Sequence, residues 1–125
     1  MSKYKAENFF KSVGFALSGL FWATKSQRNI QIEIILGILA IILGVFFNFS
    51  MLEFAVLLLT IGFVLIAELL NTIIEFVIDA YFGNKFSTLA KMAKDIAAGM
   101  VFLCANLAFL IGFLIFAPKI LRTFF

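Results

Sequence analysis

The chain has 125 residues, 64% of them hydrophobic and 14% charged, with a mean hydropathy of +1.14, a membrane protein's composition and not a soluble domain's. It is long enough for three spans of about 20 residues with short connections, which excludes a separate soluble domain. Ten Lys and Arg against seven Asp and Glu give a formal charge of +3, and with no His and one Cys, Cys104, most zinc sites and an intrachain disulfide are excluded, so carboxylates and lysines remain for chemistry.

Lys3 and Lys5 are not followed by an apolar core and a small-residue cleavage site, so no cleaved signal peptide is expected. Over about residues 7–25 the spacing predicts a helix, with Phe9, Val13, Ala16, Leu17 and Leu20 on one face and Phe10 and Phe21 beside them. Lys11, Ser12 and Ser18 interrupt it too often for a span, and Lys3, Lys5, Lys25 and Arg28 bracket it. It is therefore expected to lie in the membrane interface, a depth that suits Trp22. The alternative is a short helix packed on the spans.

No charge occurs from Ile34 to Leu52, and the first span is placed at about 30–49. Asn48, Ser50 and Glu53 form a short turn. The second span, about 54–79, is apolar to Ala67 and then meets polar groups. Asp79 to Met92 reads as a polar loop around Gly83, Asn84 and Lys85. The third span, about 92–117, is uncharged from Ile96 to Pro118, and Pro118 is expected to close it. Asn106 within it is expected to bond another helix.

Five basic residues precede the first span, three lie from Lys85 to Lys94, and two, Lys119 and Arg122, end the chain. The positive-inside rule then puts the N-terminus and the loop near residue 85 in the cytoplasm and the C-terminus outside.

Chemistry is concentrated at the end of the second span. Glu68, Asn71, Glu75 and Asp79 follow one another by three, four and four residues, which at about 100° per residue is one stripe of a helix. Ionisable side chains at membrane depth cost roughly 2.5–3.5 kcal/mol each on insertion scales, so the stripe should face protein or water. Glu68, the deepest, suits a base that takes a proton from an alcohol, and Glu75 an oxygen ligand for Mg2+. Lys94 offers charge for phosphate, and Asp95 can orient it or hold an adenosine group. A base, a metal ligand and a cation are the parts of phosphoryl transfer. Gly14 to Gly19 has the glycine spacing of a phosphate loop, but Leu20 and Phe21 stand where Lys and Ser or Thr are required. Two other readings of the same residues are an ion-pair network that ties helices together and a small proton-coupled transporter. The gathering of polar groups at one face, not the midplane, weighs against the transporter.

Glu68-Leu69-Leu70-Asn71-Thr72-Ile73-Ile74-Glu75 with Asp79, followed by Leu89-Ala90-Lys91-Met92-Ala93-Lys94-Asp95-Ile96-Ala97-Ala98-Gly99, resembles the prokaryotic diacylglycerol kinase family, which includes undecaprenol kinase. The resemblance extends to the surface helix with Gly19, the Arg28-Asn29 pair and the three-span plan. It implies an all-α integral-membrane homotrimer, with an interfacial amphipathic helix and three transmembrane helices per subunit, that phosphorylates a membrane lipid alcohol from ATP with Mg2+ at the cytoplasmic face of a bacterial inner membrane. No nucleic-acid partner is implied. By position Glu68 matches the catalytic base. Glu75 matches a ligand of metal and ATP, and Lys85, Phe86, Ser87, Lys94 and Asp95 match nucleotide-binding positions. Asn71, Asp79 and Ala98 match positions that support the site or substrate. Gln27 falls where the family usually has a second metal-binding Glu. Glu33, six residues on and about 240° round a continuous helix, is not expected to replace it. The wording around Glu68 and Asp95 is more like the undecaprenol branch than the diacylglycerol branch.

Overall fold

A computed structural model describes residues 8–125. The residue at position 7 and the lysines at positions 3 and 5 lie outside that range. The described chain is all helical: α1 (Phe9–Ser26), α2 (Arg28–Phe46), α3 (Met51–Phe82) and α4 (Thr88–Phe124). The last three are long and apolar enough to cross a membrane. At 1.5 Å per residue α3 and α4 extend about 48 and 55 Å, past the ~30 Å of a hydrocarbon core at one or both ends.

Local chemistry sets where each helix begins. Asn8, Ser50 and Ser87 are N-caps whose side chains accept hydrogen bonds from the backbone N–H of Lys11, Glu53 and Ala90. Ser50 and Glu53 form a reciprocal capping box, the Glu53 carboxylate accepting from the Ser50 N–H at 3.0 Å. The three-residue spacing was there to read in the sequence. Asn48 (φ 56°) and Gly83 (φ 59°) make the left-handed turns after α2 and α3. Short polar side chains and glycine tolerate that conformation best.

Gln27 alone separates α1 from α2. Its backbone is extended (φ −111°, ψ 112°), and its N–H donates to the Ala23 carbonyl. The Gln31 side chain then donates to the Thr24 and Lys25 carbonyls at 2.9 and 3.2 Å, satisfying acceptors at the open end of α1 and fixing the angle between the helices. The chain from Gln27 to Glu33 is thus not one continuous helix. Trp22 of α1 meets Phe76 of α3 edge to face, with ring centroids 5.0 Å apart.

Helix α3 is central, packing against α4 on one side and α2 on the other. Its buried positions, Leu57, Val64, Ala67, Glu68 and Thr72, recur at helical spacing. Gly37 of α2 allows the close approach, since a Cβ there would stand 3.0 Å from Ile61 Cγ2. Most large apolar side chains, among them Leu59, Phe63, Phe102 and Phe109, point outward. That is the pattern of a bundle solvated by lipid or by other copies, not by water.

Two expectations are corrected. Pro118 does not close α4, which continues to Phe124. A proline in a helix forfeits one N–H and crowds the preceding turn, and beyond it the chain is held by the Lys119–Glu53 ion pair at 3.2 Å and by Phe124 against Phe47. Asn106 does not reach another helix. Its amide donates to the Phe102 carbonyl of its own helix at 2.7 Å, the nearest acceptor for an exposed side chain.

Three crossings, one each by α2, α3 and α4, would put the turn at 83–87 and the end of α4 on opposite membrane faces. Cysteines introduced singly as Asn84→Cys and Thr123→Cys should therefore react with an impermeant thiol reagent from opposite sides of sealed vesicles, while Cys104 reacts poorly. Labelling of both from one side would exclude three crossings.

Candidate active site

Glu68 is one of two buried polar residues in the described chain, 5% exposed, and Thr72 is the other. The Thr72 hydroxyl is satisfied by the Glu68 carbonyl at 2.9 Å, so it presents no free donor to the carboxylate. Asn29 and Glu33 of α2 and Glu75 of α3 all lie close enough to Glu68 to act on its carboxyl. Asn29 and Glu33 were not singled out as site residues. They were legible as a pair, because four residues apart at the start of a span they share a helix face.

One turn along α3, Asn71 donates from Nδ2 to Glu75 Oε1 at 3.2 Å. Its Oδ1 is buried and has no hydrogen-bond partner among the described residues. An orphaned acceptor of this kind costs about 1–3 kcal/mol. From Glu68 the polar stripe runs about 16 Å along α3 to Asp79, which pairs with Lys94 of α4 at 2.5 Å. The acid that sequence spacing put beside Lys94, Asp95, pairs instead with Lys91 at 2.6 Å. The i,i+4 spacing brings those two together on one helix, whereas adjacent residues diverge.

The ends of α3 and α4 and the turn between them enclose an open cleft of about 290 Å³. Asp79, Lys85, Phe86, Ser87, Lys94 and Asp95 all line it, together with Lys91. Ala98 is exposed one turn beyond Lys94 and is not part of its wall, and neither are Glu68, Asn71, Glu75 or Gln27. Gln27 is half-buried at the junction of α1 and α2. A second, mainly apolar groove of about 580 Å³ runs between α2, α3 and α4, with Glu33 as its one charged lining residue and Gly37, Val64 and Phe109 among its walls.

No group of three His, Cys, Asp or Glu among the described residues could hold a metal ion by itself. The donors at Asn71 and Glu75 are oxygens, one of them lacking a partner. This fits Mg2+, a hard ion commonly held by one or two carboxylates with the remainder from water and phosphate.

The buried carboxylate of Glu68 thus lies about three turns along α3 from the acid that pairs with Lys94. The sequence profile of prokaryotic diacylglycerol kinase matches residues 14–116. The chain belongs to the prokaryotic diacylglycerol kinase family. It is 38% identical over 116 residues to the diacylglycerol kinase of Synechocystis, covering 93% of this chain and 66% of that protein's length. It is likewise 38% identical over 112 residues to the undecaprenol kinase of Bacillus subtilis, covering 90% of each. To a diacylglycerol kinase of Helicobacter pylori it is 32% identical over 97 residues, 75% of each chain. The kinase family thus spans both lipid names, and equal identity to one of each does not separate them.

The Asn71–Glu75 contact allows a role in activity to be tested apart from stability. Asn71→Leu removes an unsatisfied buried acceptor and keeps the volume, so thermal stability in detergent should be unchanged or slightly raised. Lipid phosphorylation should fall at least about tenfold, because Glu75 loses the amide that orients it. Normal activity in a stable variant would show that Asn71 serves packing alone.

Proposed function

We propose that the protein transfers the γ-phosphate of ATP to the hydroxyl of a membrane lipid alcohol, with undecaprenol favoured over diacylglycerol. The observation that carries this reading is the burial of Glu68 between α2 and α3, at the inner end of a polar stripe that leads to the lysine-lined cleft. The wording around Glu68 and Asp95 supports the undecaprenol preference, and the apolar groove beside Glu33 supports a long hydrocarbon tail lying against α2 and α4.

In this reading Glu68 takes the proton from the lipid hydroxyl as its oxygen attacks the γ-phosphorus, while the bond from that phosphorus to the bridging oxygen breaks and ADP leaves. Burial serves the step by excluding bulk water, which would otherwise compete as the acceptor. Asn29 holds the carboxyl from α2, and Asn71 holds Glu75 one turn further along. Lys94 and Lys85 attract the phosphates into the cleft, and Asp95 serves the nucleoside end. Glu75, with Gln27, would hold Mg2+, which when bound neutralises phosphate charge. The assembly we infer is a homotrimer in a bacterial inner membrane, with α1 in the interface and the site facing the cytoplasm. Uncovered apolar faces on α2, α3 and α4 and the distribution of Lys and Arg support it.

Purified protein in lipid, given labelled ATP and a choice of undecaprenol, diacylglycerol and ceramide, tests the reading. Undecaprenol should be labelled fastest, and labelling of none would refute the activity. Glu68→Gln should lower the rate by on the order of 10²–10⁴ while nucleotide binding persists. A residual rate above about a tenth would remove Glu68 from the role of base.

Gln27 sets the metal dependence. Its carbonyl can ligate Mg2+ but brings no charge, leaving Glu75 as the main anionic protein ligand. Gln27→Glu should lower the Mg2+ concentration needed for half-maximal activity and raise turnover, with little change in stability. Superimposable magnesium titrations would place Gln27 away from the metal.

A further inference from the structure

The cleft between α3 and α4 contains five ionisable side chains, and four of them are already engaged with one another. Lys91 and Asp95 pair within α4, a local contact that any helix with this spacing can make. The second pair differs, because Asp79 at the end of α3 reaches Lys94 near the start of α4, fifteen residues away in sequence. Lys85 lines the same cleft and has no ion-pair partner among the described residues.

We propose that Asp79 is a positioning residue that occupies the Lys94 ammonium in the place of a phosphate group, so that the phosphates of an incoming nucleotide enter by exchanging with the Asp79 carboxylate. This rests on the nucleotide reading of the cleft. A carboxylate oxygen and a phosphate oxygen are the same class of acceptor for an ammonium group. The Asp79 and Lys94 side chains are 60% and 41% exposed, so water reaches both and the bond is readily surrendered. Pairs this exposed shift an equilibrium by roughly 1.4- to fivefold. A polyphosphate can engage Lys94 and Lys85 together, which one carboxylate cannot. Until then the pair also holds the ends of α3 and α4 together across the turn at 83–87. A carboxylate that stayed beside Lys94 after phosphate arrived would repel it, and this favours exchange over simple addition.

The test uses the full chain in detergent with ADP as the probe and no lipid acceptor, comparing wild type with Asp79→Asn. Without ADP, amide hydrogen exchange over residues 80–94 should be faster in the variant. At saturating ADP the two should be indistinguishable, because the pair is broken in both. The variant should also bind ADP about two- to fivefold more tightly. Lys94→Gln, which removes the same pair from the other side, should show the same faster exchange without ADP but weaker ADP binding. Faster exchange in Asp79→Asn with and without ADP would mean a permanent structural brace and would overturn the proposal, as would weaker ADP binding by that variant. Neither result would touch the nucleotide reading. Failure of the wild type to bind ADP would overturn both.

Discussion

The energetic constraint behind this structure is the cost of carrying carboxylates into a medium that solvates them poorly. Glu68 sits in a helix with no basic residue on it. Its accommodation depends on α2, which supplies Asn29 and seals the carboxylate from lipid while bringing a second acid, Glu33, into its field. Like charges gathered at low dielectric are unfavourable unless some process uses them. Their persistence at one end of the bundle is therefore better explained by chemistry than by stability. The far end shows the contrast, because there Glu53 is matched by Lys119, caps α3 and leaves nothing unsatisfied.

The two ends divide the labour of the fold. At the far end Phe47, Phe49, Phe54, Phe116 and Phe124 form a chain of ring contacts, and the Glu53–Lys119 pair fastens α4 to the first turn of α3. At the site end the contacts are thinner: one aromatic pair from α1, one extended residue at Gln27, and ion pairs open to water. In the proposed reaction that end would admit the substrates, and contacts that can be exchanged at low cost suit it.

Two openings lie on either side of the polar stripe, and Glu68 lines neither of them. The cleft between α3 and α4 is polar and opens at the end of the bundle, whereas the groove between α2, α3 and α4 is apolar and opens along its side. In the proposed reaction a water-soluble phosphate donor would use the first and a membrane-bound acceptor the second, with the polar stripe of α3 between them.

Much of this was legible in the sequence, because it depends on local periodicity and transfer energies. Uncharged runs mark spans wherever they fold, and the Glu68–Asp79 stripe lies on one face of any helix built from those residues. The cations near Lys85 and Lys94 are likewise tied to the stripe's end by a short connection. Tertiary structure alone decided which partner each charge takes. Lys94 meets Asp79 instead of Asp95 because α3 and α4 pack together there, and Glu33 acts on Glu68 because α2 packs against α3. Pro118 lies inside α4, and Lys119 beside it pairs with Glu53 at the start of α3, a contact between segments that sequence spacing does not show. Sequence spacing fixes angles within one helix, while distances between helices depend on packing that no single segment contains.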